Sequence, residues 1–196
     1  MKWFTKMNLP NKLTMIRMFC VILMLIVFFI DGPKFTIFDT EFSVTRLIVL
    51  ILFAFGSFTD FLDGHIARKN NIVTTFGKFM DPIADKLLVN SLFILLTATG
   101  EIPSICTVIF IGRDIIVDSV RMICVEKQIV IAASKWGKLK TVLQMIALIT
   151  TLIIYPFGGV CTTISLVLVI LATIASLFSG IDYVYKNRKT VFEGMN

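Results

Sequence analysis

The sequence predicts an all-α integral membrane protein with six transmembrane helices and a short N-terminal amphipathic helix lying on the membrane surface. Three observations lead there. The 196 residues are 57% hydrophobic and only 16% charged. The mean hydropathy of +0.89 is far above what a soluble domain of this length tolerates. The apolar residues also fall into six runs, each long enough to cross a bilayer, with turn-forming or basic segments between them.

The six runs are expected as helices at about Leu13 to Ile30, Phe42 to Phe61, Phe79 to Thr99, Ile105 to Val125, Leu139 to Tyr155 and Val160 to Tyr185. The first has the basic start and apolar centre of a signal peptide. Asp31, Gly32 and Pro33 follow it directly, with no small-x-small cleavage site, so it is expected to be retained. Ahead of it, "MKWFTKMNLPNKL" has the composition of a surface-lying amphipathic helix. The connections "DGPK", "TGEIP" and "YPFGG" each pair Gly with Pro, which cannot continue a helix. Eighteen Phe, nine Met and no low-complexity tract predict one packed domain over residues 1–196. Cys20, Cys106, Cys124 and Cys161 stand singly in apolar runs and are expected to be reduced packing residues.

An even number of spans returns both termini to one side, and the basic residues choose that side. Lys2, Lys6, Lys12 and Arg17 precede or open the first span; Arg68, Lys69, Lys78 and Lys86 flank the second connection. Lys127, Lys135, Lys138 and Lys140 flank the fourth, and Lys186, Arg188 and Lys189 follow the last span. The other connections offer only Lys34 and Arg46. Basic residues concentrate in cytoplasmic loops, so both termini and the second connection are predicted to be cytoplasmic, in a multi-pass protein of the plasma membrane. Trp3, Trp136, Tyr183 and Tyr185 fall on that same side, where amphipathic rings favour the headgroup layer.

That side carries "DFLDGHIARKNNIVTTFGKFMDPIADK". Asp60 and Asp63 are three residues apart at the end of the second span, and Asp81 and Asp85 are four apart at the start of the third. Each spacing puts both carboxylates on one helix face. Two antiparallel helices joined by a short connection can bring the pairs together, where four uncompensated carboxylates would repel strongly. A cation is therefore expected among them. Arg68 and Lys86 are outnumbered, and an oxygen-only donor set suits a hard divalent ion, Mg2+ or Mn2+. Four carboxylates also match a two-metal site clamping phosphoryl oxygens. His65 lies on another helix face and is not expected to be a ligand. Taken singly, Asp81 before Pro82 reads as a helix N-cap, and Asp85 beside Lys86 as solvated surface. All four together, with Gly64 open to close backbone approach and Arg68 able to grip a diphosphate, read better as a phosphate site.

Asp60, Asp63, Gly64, Ala67, Arg68, Gly77, Asp81 and Asp85 fill every fixed position of D-x-x-D-G-x-x-A-R, eight residues, G-x-x-x-D-x-x-x-D. This resembles the signature of the CDP-alcohol phosphotransferases. The resemblance implies a six-helix fold and a reaction in which an acceptor hydroxyl attacks the β-phosphorus of a CDP-linked lipid and CMP leaves. It implies that Asp60, Asp63, Asp81 and Asp85 hold two divalent ions and that Asp85 is also the general base. Gly64, Arg68 and Thr74 would hold the CDP portion. "PNKLT" resembles the family's N-terminal nucleotide-side segment, which adds Asn11 and Thr14. Nearby cations would make Asp85 a weak base whose usefulness depends on geometry.

The acceptor is decided elsewhere. Arg113, Asp114, Asp118 and Arg121 interrupt the fourth apolar run, an expensive placement that should face the bundle interior. Asp114, Asp118 and Arg121 follow helical spacing and could be an internal salt bridge, leaving Arg113 over, about 12 Å deeper than Arg121. Lys135, Lys138 and Lys140 in "AASKWGKLKT" could be ordinary cytoplasmic charge or, with Arg113 and Arg121, could receive an acceptor's own phosphate. "GRDIIVDSVR" followed by "AASKWGKLKTVLQ" resembles the phosphatidylglycerophosphate-forming branch of bacteria, whose acceptor is glycerol 3-phosphate. Asp114 stands where that branch usually has Glu, and Gln128 where Gly is common. The implied partners are CDP-diacylglycerol, glycerol 3-phosphate, the lipid bilayer and a second copy of the chain in a homodimer, with no nucleic acid. Rival readings are the same chemistry on serine, an inositol phosphate or phosphatidylglycerol, a divalent-cation transporter, or a membrane scaffold. Against the transporter, the outer half of the chain has no matching polar pathway and no inverted repeat is seen.

Overall fold

The computed structural model describes residues 7–70, 74–129 and 135–192, with the side chains of residues 61–70, Thr75, Lys78 and Phe192 left aside. Six long helices carry the chain: α1 (Leu9–Phe28), α2 (Val44–Asn70), α3 (Thr75–Ala98), α4 (Ser104–Glu126), α5 (Lys135–Ile154) and α6 (Gly159–Phe192). The chain divides into two compact units, Met1–Leu95 and Leu96–Asn196, and α3 crosses the boundary.

The helix ends follow local chemistry, often several residues from the sequence-based bounds. Helix α1 begins at Leu9 with Pro10 in its first turn, where proline's missing N–H is harmless. Leu9 to Leu13 are thus the opening of the first long helix and form no separate surface helix; Met1 to Lys6 lie outside the described residues. Helix α2 runs past Phe61 to Asn70, carrying the whole first half of the aspartate motif. Helix α3 begins at Thr75, which places Asp81 and Pro82 inside it. Asp81 is therefore no N-cap. That role falls to Thr74, whose Oγ1 accepts a hydrogen bond from the Gly77 N–H at 3.0 Å. Helix α3 stops at Gly100, which adopts φ +78, while the Glu101 N–H donates to the Leu96 carbonyl at 2.9 Å. Helix α5 ends before Pro156 in a short 3₁₀ turn, Tyr155–Phe157, and Gly158 and Gly159, both at positive φ, redirect the chain into α6.

One element departs from the all-helical expectation. Residues expected in the first connection and at the start of the second span form an antiparallel hairpin, β1 (Lys34–Ile37) and β2 (Thr40–Ser43), with Lys34 opposite Ser43 and Ile37 opposite Thr40. Phe35, Thr36, Ile37 and Phe42 are good strand formers, and Phe35 and Phe42 stack across the strands at 5.6 Å. Phe38 and Asp39 both adopt positive φ, as a two-residue type I′ turn demands. At the open end Lys34 donates to Glu41 at 2.9 Å. That contact raises the Lys34 pKa and lowers that of Glu41.

In the first unit α1 packs on α2. Met24, Val49, Phe53, Ala84, Leu88 and Leu92 form its core, each fully or almost fully buried. Gly56 lets α2 and α3 approach closely, since a Cβ there would lie 2.8 Å from Leu88 Cδ2. In the second unit α6 packs on both α4 and α5 around Phe110, Ala147, Leu148, Leu152, Val169 and Ala172. The outward residues are as apolar as the core: Phe19, Ile22, Ile51, Phe55, Ile105, Val108, Val160 and Val167 are all exposed. Water would not tolerate so much exposed apolar surface, and lipid does. Among the described residues three helical segments, Leu9–Phe28, Lys135–Phe157 and Gly159–Val191, are long and apolar enough to cross a membrane. In α3 the apolar run is broken by Asp81, Asp85 and Lys86, and in α4 by Arg113, Asp114, Asp118 and Arg121. The chain is thus an all-α membrane protein with one small β-hairpin.

After α4, Gln128 adopts φ +58 in the left-handed turn that closes the helix, with the Ile129 N–H donating to the Cys124 carbonyl at 2.8 Å. This conformation accounts for the Gly expected at that position, because glycine has no Cβ to clash there. Gln128→Gly should therefore raise stability by roughly 0.5 kcal/mol, or about 1–2 °C in Tm in detergent. A lowered Tm would show that the turn is not strained by its side chain.

Candidate functional site

The inward face of α1 sets one side of the site. Asn11, Thr14 and Arg17 recur every three residues and are all buried, Thr14 and Arg17 completely; farther along, Cys20, Val21 and Met24 make the same face apolar. One face thus begins polar and ends greasy.

Each of those polar side chains meets a member of the aspartate motif or its flank. Thr14 Oγ1 donates to Asp81 Oδ1 at 2.5 Å. Arg17 Nη1 donates to Asp85 Oδ1 and lies 3.2 Å from Asp60 Oδ1. Thr74 Oγ1 donates to Asn11 Oδ1 at 2.8 Å while it caps α3. Gly77 sits among them: a Cβ there would lie 3.1 Å from Asn11 Oδ1, 3.2 Å from Thr74 Oγ1 and 3.5 Å from Asp81 Oδ2. Asn11 and Thr14 of α1, Asp60 of α2, and Thr74, Asp81 and Asp85 of α3 and its cap therefore converge on the polar face of α1. Asp63, Gly64 and Arg68 continue α2 beyond Asp60, and their side chains lie outside the described residues.

Sequence reasoning asked for a cation among the carboxylates and passed over the one the fold supplies. Arg17 was grouped with the cytoplasmic positive charge, yet its guanidinium is fully buried between Asp60 and Asp85, whose side chains remain 46% and 41% exposed. The signal was its register, since Arg17 continues the spacing of Asn11 and Thr14. Among the described residues His, Cys, Asp and Glu form no group of three able to hold a metal ion.

A second cluster lies in the second unit. Asp114 is buried on α4, and its Oδ1 accepts from Arg113 Nη1 at 3.0 Å and from the buried Lys140 Nζ of α5 at 2.7 Å. Arg113 Nη2 reaches Ser179 Oγ of α6 at 2.6 Å, and Gly180 leaves room for its stem, since a Cβ there would sit 2.9 Å from Arg113 Cγ. Arg113 is therefore not left over beside an Asp114–Arg121 bridge: it is held by Asp114 and Ser179, and Asp114 takes Lys140 as its other cation. Beside this knot is a cavity of about 230 Å³, lined by Arg113, Val117, Arg121, Lys138, Thr141 and Tyr183 among others. Of the basic residues considered for the acceptor, Arg113, Arg121 and Lys138 meet at this cavity. Lys140 stands behind it on Asp114, and Lys135 is exposed and does not line it. Tyr183 is also relocated. It is buried against Val117, Val120 and Cys124 and does not sit as a headgroup anchor, whereas Tyr185 is exposed with Arg188 stacked 4.1 Å above its ring.

Removing Arg17 takes away a fully buried side chain and the charge that two carboxylates share. Arg17→Ala should lower stability by roughly 2–5 kcal/mol, and Arg17→Lys should recover only part of it, because a single ammonium cannot replace a guanidinium fork. Thermal unfolding in detergent measures both, and a Tm within 2 °C of wild type for Arg17→Ala would refute the pairing. Gly77→Ala crowds Asn11 Oδ1 and Thr74 Oγ1 and should depress activity by at least tenfold, read as product formed per minute at matched protein fold; unchanged turnover would show that the Asn11–Thr74 arrangement is not needed.

Residues 7–178 match the family model for CDP-alcohol phosphatidyltransferase. The chain is 35% identical over 184 residues to a CDP-diacylglycerol–glycerol-3-phosphate 3-phosphatidyltransferase of Bacillus subtilis (strain 168), covering 92% of this chain and 95% of that protein. It is 33% identical over 187 residues to the protein of that name from Rickettsia typhi, covering 94% and 99%. A probable phosphatidylglycerophosphate synthase of Mycobacterium tuberculosis (strain H37Rv) is 34% identical over 177 residues, covering 90% and 80%. With the aspartate motif shared between α2 and α3 and the match extending over most of its length, the chain belongs to the CDP-alcohol phosphatidyltransferase family.

Proposed function

We propose that the protein transfers a phosphatidyl group from CDP-diacylglycerol to sn-glycerol 3-phosphate, forming phosphatidylglycerophosphate and CMP. The observation that carries this reading is the convergence of Asp60, Asp81 and Asp85 on the polar face of α1 in a chain whose similar proteins bear that activity in their names.

The donor set is all carboxylate oxygen: Asp60 and Asp85 share Arg17, Asp81 is bonded to Thr14 on the same face of α1, and Asp63 lies one helical turn from Asp60. That set fits hard divalent ions, and we assign Asp60, Asp63, Asp81 and Asp85 as holders of two Mg2+ or Mn2+ ions. Such ions, when bound, neutralise the diphosphate and the charge that develops at phosphorus. Thr14 fixes the Asp81 carboxylate, and Arg17 fixes Asp60 and Asp85. Asp85 takes the proton of the attacking hydroxyl as that oxygen bonds to the β-phosphorus and CMP departs. Arg17 bonds one oxygen of Asp85 and so sets where the carboxylate stands relative to the hydroxyl. Gly64, Arg68 and Thr74, with Asn11 and Thr14, hold the CDP portion; Thr74 and Asn11 serve through the hydrogen-bonded frame at the start of α3. Arg113, Arg121 and Lys138 receive the phosphate of the acceptor, supported by Lys140 through Asp114, with Lys135 adding field from the surface.

All six helices hold twenty residues or more, about 30 Å or longer at helical rise, and we read them as six spans of one catalytic domain. Both termini and the aspartate site then lie on the cytoplasmic face of the plasma membrane, where the basic residues gather, and the working form is a homodimer.

Purified protein in mixed micelles with CDP-diacylglycerol, glycerol 3-phosphate and Mg2+ or Mn2+ should release CMP, chelation should stop the release, and Asp81→Asn or Asp85→Asn should lower kcat at least a hundredfold. A panel with serine, inositol phosphate and phosphatidylglycerol in place of glycerol 3-phosphate tests the acceptor. No CMP from any of them would refute the activity, and faster turnover with another acceptor would refute the assignment of glycerol 3-phosphate.

A further inference from the structure

The cavity beside Arg113 contains a feature that packing does not account for. Tyr183 lines it with 4% of its surface exposed, and among the described residues its hydroxyl has no hydrogen-bond partner. The ring rests on Val117, Val120 and Cys124, an apolar bed that a phenylalanine would fill as well. A buried hydroxyl without a partner is unfavourable and uncommon, so it marks a place where a ligand completes the bonding.

The neighbours specify the ligand's chemistry. Arg113 Nε is a second buried donor that has no hydrogen-bond partner among the described residues, and its other nitrogens are already held by Asp114 and Ser179, which fixes the guanidinium in place. Arg121 and Lys138 line the same cavity, and among the described residues no acidic one does. Two orphan donors among three cations ask for a ligand that is anionic and rich in acceptors. A phosphate monoester meets both requirements.

Resting on the acceptor site proposed above, we propose that the Tyr183 hydroxyl donates a hydrogen bond to the phosphate of the acceptor, and so selects a phosphorylated alcohol over a neutral one. The pair of fixed donors gives direction, while Arg121 and Lys138, both exposed, supply attraction. Tyr183 is a binding residue here, and it takes no part in proton transfer.

Tyr183→Phe retains the ring and removes only the donor. A hydrogen bond to a charged group is lost, so KM for glycerol 3-phosphate should rise about tenfold or more. The inhibition constant of inorganic phosphate, competing with glycerol 3-phosphate, should rise by a similar factor. The Tm, kcat and KM for CDP-diacylglycerol should stay within about twofold or 2 °C of wild type. An unchanged KM overturns the inference, as does a raised KM with an unchanged phosphate constant, which would assign the hydroxyl to the glycerol moiety. A lowered Tm with unchanged phosphate inhibition would give the hydroxyl a packing role and also overturn it. Lys138→Ala separates the two levels: if it raises KM while Tyr183→Phe is silent, only the tyrosine assignment fails. If neither variant moves KM, the cavity is not the acceptor site.

Discussion

The first unit depends on a charge that is buried and shared. Arg17 has no contact with water, and a lone guanidinium in such a place would be far too costly to keep. It is tolerable because Asp60 and Asp85 meet it from α2 and α3, and because those carboxylates keep nearly half their surface exposed. In a bilayer, helices gain little by hiding apolar faces from lipid that is equally apolar, so polar links and close packing decide which helices meet. Arg17 joins α1 to both of its neighbours at one point. Thr14 to Asp81 and Asn11 to Thr74 continue the link from α1 to α3 and its cap toward the start of both helices, and Gly56 against Leu88 brings α2 and α3 together by close contact.

The second unit uses the same device with the signs exchanged. Its buried charge is an anion, Asp114, held by Arg113 of its own helix and Lys140 of α5. Arg113 in turn reaches Ser179 of α6, so three helices again meet through one ionic knot. Apolar packing further along, Phe110, Leu148 and Val169 among it, makes the bundle stable, but the knot fixes which faces look inward. This explains why α4 carries four charged residues through an apolar run without exposing a lipid-facing charge at Asp114.

Most of this architecture was legible in the sequence, because hydropathy marks long apolar helices and Gly and Pro mark their ends. The hairpin at Lys34–Ser43 was not: a run such as "FTIFDTEFS" is short and apolar enough to merge with the helix that follows. Helix ends at Leu9, Thr75 and Lys135 were missed for a related reason. They are polar extensions of apolar helices, and hydropathy sees only the apolar part. In the site, the aspartates and Asn11, Thr14 and Thr74 were named from motif and resemblance, and the structure brings Asp60, Asp81, Asp85 and those three residues together. Arg17 and Tyr183 were read by composition, as cytoplasmic charge and headgroup anchor. Both needed their helical register, which places Arg17 in line with Asn11 and Thr14, and Tyr183 one turn beyond Ser179.

The charge balance of the two knots also bears on what each can bind. Around Arg17, two carboxylates face one guanidinium, and Asp81 stands beside them with only the Thr14 hydroxyl contributed from α1. Among the described side chains of this knot the surplus is negative, and such a surplus at a membrane surface attracts cations. Around Asp114, two cations face one carboxylate, and Arg121 and Lys138 stand at the adjoining cavity. That surplus is positive and attracts anions. Neither knot could be neutralised from within without losing this bias. Replacing Asp114 by an apolar residue would take from the buried Arg113 and Lys140 the carboxylate they share, while adding a carboxylate at the cavity would repel a phosphate. The same ionic pairs that select helix neighbours therefore also set which sign of ligand each unit can receive.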